Sequence, residues 1–267
     1  MINFVKIIFI FSLMASPCNS LELYGKFTQG GLITGKVDKK IDLYVDNKKI
    51  KISDKGYFVF GIPRDQTNKI VIITKKNNKE VNKLIKKVQI RKFKIQRIDG
   101  LPKRKVTPTA EDMKKIRSEG KLISKAKNIN SNLSYFFDSF IRPAKGITTG
   151  VYGSQRILNG KPRRPHYGID IAAPKGTSVL SSNSGKVILS ERSLFFTGGT
   201  VIIDHGHGLI SIYSHLEKTF VKKNQLVKKG EIIATVGSTG RSTGPHLDFR
   251  LYCNNVPVDP DLVISSN

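Results

Sequence analysis

The sequence predicts a mainly β protein, built from two β domains that are joined by a helical linker. Short runs of alternating or β-branched residues, separated by glycine and by Asn or Asp turns, recur along most of the chain. A helical period appears between positions 109 and 128, and no long helical period follows position 141. The 267 residues are enough for two modest domains with their own cores.

Residues 21–98 predict an N-terminal β sandwich of immunoglobulin-like type. Residues 41–45 alternate apolar and polar side chains, as in a strand. Asp46 and Asn47 form a predicted turn, and residues 49–52 form the predicted returning strand. Residues 70–74 are rich in β-branched side chains. Short strands with regular turn signals are typical of a sandwich. No polar constellation stands out in this region, so it is interpreted as a structural or interaction module.

Residues 99–140 predict a linker that contains one helix. Two prolines, Pro102 and Pro108, precede Thr109, which can cap a helix with Asp112 in the third helical position. The apolar spacing extends this helix to about position 128. Three phenylalanines that follow are predicted to make core contacts between the helix and the next domain: Phe136, Phe137 and Phe140.

Residues 141–267 predict an antiparallel β domain. Strand-like segments alternate with turns, among them the turn at 205–208 and the Asn254-Asn255 turn. The histidines and acidic residues that could take part in catalysis lie at the ends of these strands and in the loops between them.

Residues 1–20 resemble a secretory signal peptide. Lys6 precedes an apolar run at 7–15, and small residues lead to a predicted cleavage site near Ser20. The run is too short to span a bilayer, so we expect an exported protein of the periplasm or cell envelope with no stable membrane span after cleavage. An uncleaved anchor and a lipoprotein at Cys18 are alternatives, although Pro17 does not fit a lipobox. If the signal peptide is cleaved, Cys253 is the one remaining cysteine, and it is predicted to be a small buried hydrophobe.

The chain is strongly basic, with a formal net charge of +26. Residues 21–140 contain 29 basic and 12 acidic residues, a net charge of +17, so the excess lies mainly outside the C-terminal domain. Attraction to an anionic envelope surface or cell-wall polymer is one consequence. Nucleic acid is not expected as a partner, because the export signal removes the chain from the cytoplasm and no aromatic–basic recognition motif is present.

The histidines concentrate in the C-terminal domain, and all five lie between positions 166 and 246. His166 and Asp170 are close enough in sequence to chelate one ion, and His246 and Asp248 face the same side of a strand. Zinc binds His nitrogen and Asp oxygen, and a catalytic site keeps three protein ligands with one open position. The pattern alone leaves open which histidine binds the metal and which assists a water that attacks a carbonyl.

Other histidines and serines of the chain do not form a competing site. His205 and His207, within a His-Gly-His-Gly turn, are interpreted as ordinary surface or turn residues. Alternatively, His205 could support the site by contacting one of the metal ligands. The serines form no nucleophile-elbow pattern, and there is no His-Glu-x-x-His helix.

Three ordered motifs resemble those of the M23 (lysostaphin-type, LytM-domain) metallopeptidases: His166-x-x-x-Asp170, Tyr213-Ser214-His215-Leu216, and Thr243-Gly244-Pro245-His246-Leu247-Asp248-Phe249. The likeness covers about residues 141–262. It implies a fold like the duplicated hybrid motif of that family, and a zinc endopeptidase that cuts peptide crosslinks of peptidoglycan.

The resemblance also implies roles for individual residues. His166 and Asp170 become zinc ligands, and His215 and His246 become the catalytic histidines. The third ligand of the family is usually histidine, and Asp248 stands at that position here. Carboxylate oxygen can also bind zinc, but two carboxylates would make a bound water less acidic and would weaken its activation at neutral pH.

Two functions therefore compete. The first is an exported zinc metalloendopeptidase that hydrolyses the peptide crosslinks of peptidoglycan during cell-wall remodelling. The second is a catalytically inactive LytM-type domain that binds the wall and activates other cell-wall hydrolases, because a fold does not guarantee its chemistry. A simple β-sandwich adhesin or wall-binding protein would not explain the His/Asp spacing.

Overall fold

A computed structural model describes residues 21–264. The predicted signal peptide at 1–20 lies outside these residues. The strands of the first half are β1 (Glu22–Tyr24), β2 (Leu32–Lys36), β3 (Asp42–Val45), β4 (Lys48–Ile50), β5 (Tyr57–Gly61), β6 (Lys69–Lys76), β7 (Lys79–Lys87) and β8 (Ile95–Ile98). The helices are α1 (Lys103–Val106) and α2 (Ala110–Lys127), followed by a 3₁₀ turn at Tyr135–Phe137.

The second half continues with β9 (Ile147–Gly150), β10 (Gln155–Leu158), β11 (Lys161–Pro162), β12 (Ile169–Ala172), β13 (Ser178–Leu180), β14 (Gly185–Leu194), β15 (Gly198–Gly206), β16 (Leu209–Thr219), β17 (Leu226–Val227), β18 (Ile232–Val236), β19 (His246–Cys253) and β20 (Val256–Val258). A second 3₁₀ turn follows at Pro260–Leu262. The prediction of a mainly β protein is confirmed.

The N-terminal β domain consists of two antiparallel sheets over one core. One sheet has the order β1-β2-β5, and the other has the order β4-β3-β6-β7. Their inward-facing side chains form a shared cluster that includes Ile33 and Phe58 from the first sheet and Leu43 and Ile72 from the second. This is the predicted sandwich arrangement.

Helix α2 begins and ends where the sequence places it. Thr109 is the N-cap: its hydroxyl accepts a hydrogen bond from the Asp112 amide, and the Asp112 carboxylate accepts one from the Thr109 amide. Asn128 is the C-cap. The last turns of the helix pack through Ala126 against the outer face of the C-terminal sheet, where Ile188 and Ile202 are buried. The predicted capping box is therefore confirmed.

The C-terminal domain is built on a ten-stranded sheet within residues 21–264, with the central order β17-β14-β15-β16-β19-β12-β9. Its main core contains Tyr213 and Phe249 together with Phe136 and Phe140 from the segment before the domain. Phe137 was predicted to be a core residue, but 37% of its surface is exposed. It packs against Tyr57 of the N-terminal domain at 4.3 Å between ring centroids.

The two halves of the chain meet beside the C-terminal sheet. Strand β8 pairs in parallel with β10, so that Gln96 lies opposite Arg156. Arg64 Nε donates to the Gly153 carbonyl at 2.9 Å, and Arg91 pairs with Asp259 at 2.8 Å. The N-terminal half therefore adds a strand close to the histidine cluster. Among residues 21–264, no helix has both the length and the apolar character needed to cross a membrane.

Candidate metal centre

Three side chains converge at neighbouring strands of the C-terminal sheet. Strands β12 and β19 are antiparallel, and Asp170 lies directly opposite Asp248. His166 lies in the loop before β12, so its approach to Asp170 comes from the loop and not from strand alternation. One ligand atom from each of His166, Asp170 and Asp248 lies within 4.8 Å of the others. The structure therefore forms a candidate His/Asp/Asp metal site.

The donor atoms of this site fit a cation. All three side chains are buried. Neither His166 ring nitrogen nor Asp170 Oδ1 has a hydrogen-bond partner within residues 21–264, although His166 Nε2 lies 3.1 Å from Asp170 Oδ1. A buried polar atom without a partner costs about 1–3 kcal/mol, and a coordinated cation would satisfy Asp170 Oδ1 and one of the two His166 nitrogens. One nitrogen and two carboxylates form a donor set that zinc accepts.

The protonation states also suit metal binding. Burial lowers the pKa of His166, so its ring is neutral and offers a lone pair. Burial alone would raise the pKa of Asp248, but the Arg250 guanidinium holds it well below its usual range. Burial alone would also raise the pKa of Asp170, but the ion pair with the Arg156 guanidinium helps to hold it below its usual value. Both carboxylates are therefore ionised at neutral pH.

Each carboxylate of the site is paired with an arginine. Arg250 Nε and Nη2 donate to the two oxygens of Asp248 at 2.8 and 2.5 Å, in a fork geometry. Arg156 Nη2 donates to Asp170 Oδ2. Sequence reasoning missed both partners. Arg250 had a local signal, since it lies two residues after Asp248 on the same strand face, whereas Arg156 comes from a different strand.

His215 and His246 lie together at the edge of this cluster. Their ring centroids are 4.7 Å apart, and His246 Nε2 lies 4.0 Å from Asp170 Oδ1. His215 Nδ1 donates to the Thr239 carbonyl at 2.7 Å, and His246 Nδ1 is 2.9 Å from the Gly244 carbonyl. These contacts fix the tautomer in which Nε2 carries the lone pair.

The backbone conformation and burial of His215 hold it in place as a neutral ring. Its φ is 65°, in the left-handed region that a histidine seldom adopts, so its position is held by the surrounding structure. Burial lowers its pKa to about 4. The ring is therefore neutral at pH 7 and can accept a proton.

A cavity of about 300 Å³ opens over these groups, and we call it the catalytic cavity. Asp170, His215 and His246 line it together with Arg156 and Gln96. Gln96 belongs to β8, so the N-terminal half of the chain contributes to the wall of the cavity. The candidate site therefore borders an open cavity.

His205 and His207 lie away from the candidate metal centre and are buried, contrary to the expected surface positions. His205 Nδ1 is 2.7 Å from the Ser184 carbonyl, and Nε2 is 2.8 Å from Ser211 Oγ. His207 does occupy the predicted turn, with φ of 51°, and stacks on Phe136 at 4.4 Å. Both are structural groups, because local hydrogen bonds and stacking compensate their burial.

Cys253 is a free, buried thiol, as predicted. Burial raises its pKa to about 12, so it is protonated at neutral pH. Such a thiol is not a nucleophile.

Comparison with known proteins shows which family the C-terminal domain is similar to. Residues 164–260 match the model of peptidase family M23. Peptidoglycan DD-endopeptidase ShyB of Vibrio cholerae is 46% identical over 95 residues, which cover 36% of this chain and 22% of ShyB. DD-carboxypeptidase/endopeptidase Mpg of Neisseria meningitidis is 44% identical over 97 residues, which again cover 36% of this chain and 22% of Mpg. The match thus spans about a fifth of the length of these relatives.

A solved structure extends the likeness to most of the chain. The crystal structure of a putative peptidase M23 from Pseudomonas aeruginosa is similar with a TM-score of 0.68 and 27% sequence identity. The match covers 90% of this chain and 95% of the other. The arrangement of the two halves is therefore shared with another protein.

Proposed function

We propose that this protein, whose C-terminal domain belongs to peptidase family M23, is an exported zinc metalloendopeptidase that hydrolyses peptide crosslinks of peptidoglycan. The observation that supports this most strongly is the convergence of His166, Asp170 and Asp248 within 4.8 Å, beside His215 and His246. The site combines three metal donors with two neighbouring histidines, a set of groups that suits metal-assisted hydrolysis.

In the proposed site, His166, Asp170 and Asp248 hold the zinc, which would supply Lewis acidity toward a peptide carbonyl. His215 and His246 then perform the proton transfers. Because each Nδ1 is tied to a backbone carbonyl, each Nε2 is available to accept a proton from the attacking water. The protonated ring can donate to the leaving amine or stabilise the developing oxyanion.

The substrate class rests on the relatives and on the character of the chain. ShyB is named as a peptidoglycan DD-endopeptidase, and Mpg as a DD-carboxypeptidase/endopeptidase. The predicted signal peptide would bring the protein to the compartment that contains peptidoglycan. The net charge of +26 favours binding to an anionic cell wall.

A specific observation supports the alternative of a zinc-free domain that activates another hydrolase. Asp170 and Asp248 are each paired with an arginine, so their negative charges are compensated without a metal ion. Zinc must compete with these guanidinium groups for the carboxylates. The alternative therefore predicts the same fold with no metal.

Metal content distinguishes the two functions. We expect about one zinc per chain by elemental analysis, a stoichiometry taken from single-metal sites of this ligand type, and loss of zinc in Asp248→Ala. The exposed Asp138→Ala is the matched control and should keep its zinc. Zinc-loaded protein should then release peptides from purified peptidoglycan. No zinc after reconstitution, with a folded protein, would favour the activator.

A further inference from the structure

A second cavity lies beside the metal ligands. Its volume is about 690 Å³, and helix α2, the loop before β12 and strand β19 contribute to its walls. His166 lines this cavity, whereas Asp170 lines the catalytic cavity. Six basic residues and no acidic residue line it: Lys127, Arg156, Arg163, Arg164, Arg241 and Arg250. We call it the basic cavity.

Four of these six cations have no carboxylate partner. Arg156 and Arg250 pair with the metal-site aspartates, but within residues 21–264 no ion pair involves the other four. Neutral contacts position two of them: Arg163 Nη2 donates to the Val106 carbonyl at 2.7 Å, and the Arg241 guanidinium lies 4.4 Å from the Phe196 ring centroid. These contacts orient the cations without neutralising them.

The clustered charge is unfavourable in the absence of an anion. Burial lowers the pKa of Arg241 to about 10, with further lowering by Arg156 and Arg250. The pKa of Lys127 is also lowered, by burial first and then by Arg250 and Arg164. Like charges held together in a half-buried space create a positive potential that attracts an anion.

The basic cavity adjoins the catalytic cavity. Arg156, Leu158 and Arg241 line both, so these three side chains form the common wall. A chain bound beside His215 and His246 can therefore continue over this wall. The apolar lining of the basic cavity, which includes Met113 and Ile116, suits aliphatic spacers between charged groups.

We propose that the basic cavity binds free carboxylates of the acidic stem peptide whose crosslink is cut in the catalytic cavity. This inference rests on the proposed function. A guanidinium group can donate two parallel hydrogen bonds to one carboxylate. A stem peptide carries several carboxylates, so several guanidinium groups of the basic cavity can each bind one. The apolar walls and the adjoining catalytic cavity favour a peptide over inorganic phosphate.

Binding to the metal-free protein tests the proposal without requiring catalysis. Calorimetry would compare an acidic stem tetrapeptide, the same peptide with its carboxylates amidated, and inorganic phosphate. We expect the acidic peptide to bind about tenfold more tightly than the amidated one, the effect of one lost charge-assisted contact. In Arg164→Gln/Arg241→Gln this preference should disappear.

Two controls separate the site from general attraction to a basic protein. Lys79→Gln/Lys83→Gln removes the same charge from exposed positions of β7 and should retain the preference. Arg164→Gln alone changes an exposed side chain and should lower the preference even if the double variant fails to fold. Thermal unfolding checks each variant.

The outcomes also separate this proposal from the proposed function. Equal affinity of the wild-type protein for the acidic and amidated peptides would overturn the carboxylate site, whether or not peptidoglycan is cut. Tighter binding of phosphate than of the acidic peptide would overturn it as well. Selective binding of the acidic peptide, without cleavage by zinc-loaded protein, would overturn the proposed function and leave the carboxylate site supported.

Discussion

At the scale of single residues, the metal donors are held by partners that also compensate their charge. Arg250 donates hydrogen bonds to both oxygens of Asp248, and this pairing orients the carboxylate before any metal binds. Asp248 is almost fully buried, so an ionised carboxylate without this partner would be costly. The arginine therefore stabilises the fold at a position where a histidine would need no such partner.

Replacing Arg250 should reveal this role. In the metal-free protein, Arg250→Gln should lower the free energy of unfolding by about 3 kcal/mol, because it leaves a buried charge unpaired. Zinc should reduce that loss, since the cation then compensates Asp248. Denaturant unfolding with and without zinc measures both values.

The exposed Arg192→Gln serves as the control and should change stability by no more than about 0.5 kcal/mol. If Arg250→Gln lowers the free energy of unfolding equally with and without zinc, then zinc does not interact with Asp248.

The paired histidines should affect turnover more than metal binding. His215→Ala and His246→Ala should each lower kcat about a hundredfold or more, because each removes a positioned proton donor and acceptor. Zinc stoichiometry should be unchanged, which elemental analysis checks on the same samples. Loss of zinc in either variant would instead assign that histidine to the metal.

At the scale of elements, helix α2 begins at a capping box that the sequence marks in full. Thr109 and Asp112 satisfy each other's backbone amides, and Arg104 donates two hydrogen bonds to the Asp112 carboxylate at 2.8 and 2.6 Å. This anchors the helix that covers the outer face of the sheet and lines the basic cavity.

Thr109→Ala should therefore lower stability by about 1 kcal/mol, the usual effect of losing a helix cap. Thermal or denaturant unfolding measures the loss. Lys114→Ala on the exposed face of α2 is the control and should be nearly neutral. A cap variant as stable as the wild type would mean that tertiary packing alone sets the start of the helix.

At the scale of the whole molecule, buried neutral histidines link folding to pH. His205 is fully buried, and burial lowers its pKa from 6.5 to about 4. Between these values the unfolded chain binds a proton that the folded protein excludes. The stabilising contribution is thus complete above pH 6.5 and is lost as the pH falls to 4, by about 3 kcal/mol.

Denaturant unfolding across pH 7 to 4, with a chelator to remove metal linkage, should show this loss. His205→Asn should flatten the pH dependence. Thr109→Ala should lower stability at every pH while leaving the slope unchanged. An unaltered slope in His205→Asn would assign the acid sensitivity to other buried groups, such as His215.

Local signals predicted much of the fold and part of the site. The capping box of α2 depends on residues a few positions apart. The same holds for the turns at Asp46-Asn47 and Asn254-Asn255, where all four residues have positive φ. The pair His246 and Asp248 follows from strand alternation. The burial of His205 and His207 was not predicted, because it depends on distant packing.

The β class, the boundaries of α2, the turns and the order of the His/Asp motifs could be predicted from the sequence, since these depend on short-range periodicity and backbone preference. Helix α1 (Lys103–Val106) was not predicted. The groups that surround those motifs could be identified only from the folded chain. Arg156 arrives from β10, Gln96 from β8 and Arg241 from the loop before β19, and no sequence period relates them. Their convergence results from strand pairing and sheet packing across long separations, which place a basic cavity beside the candidate metal centre.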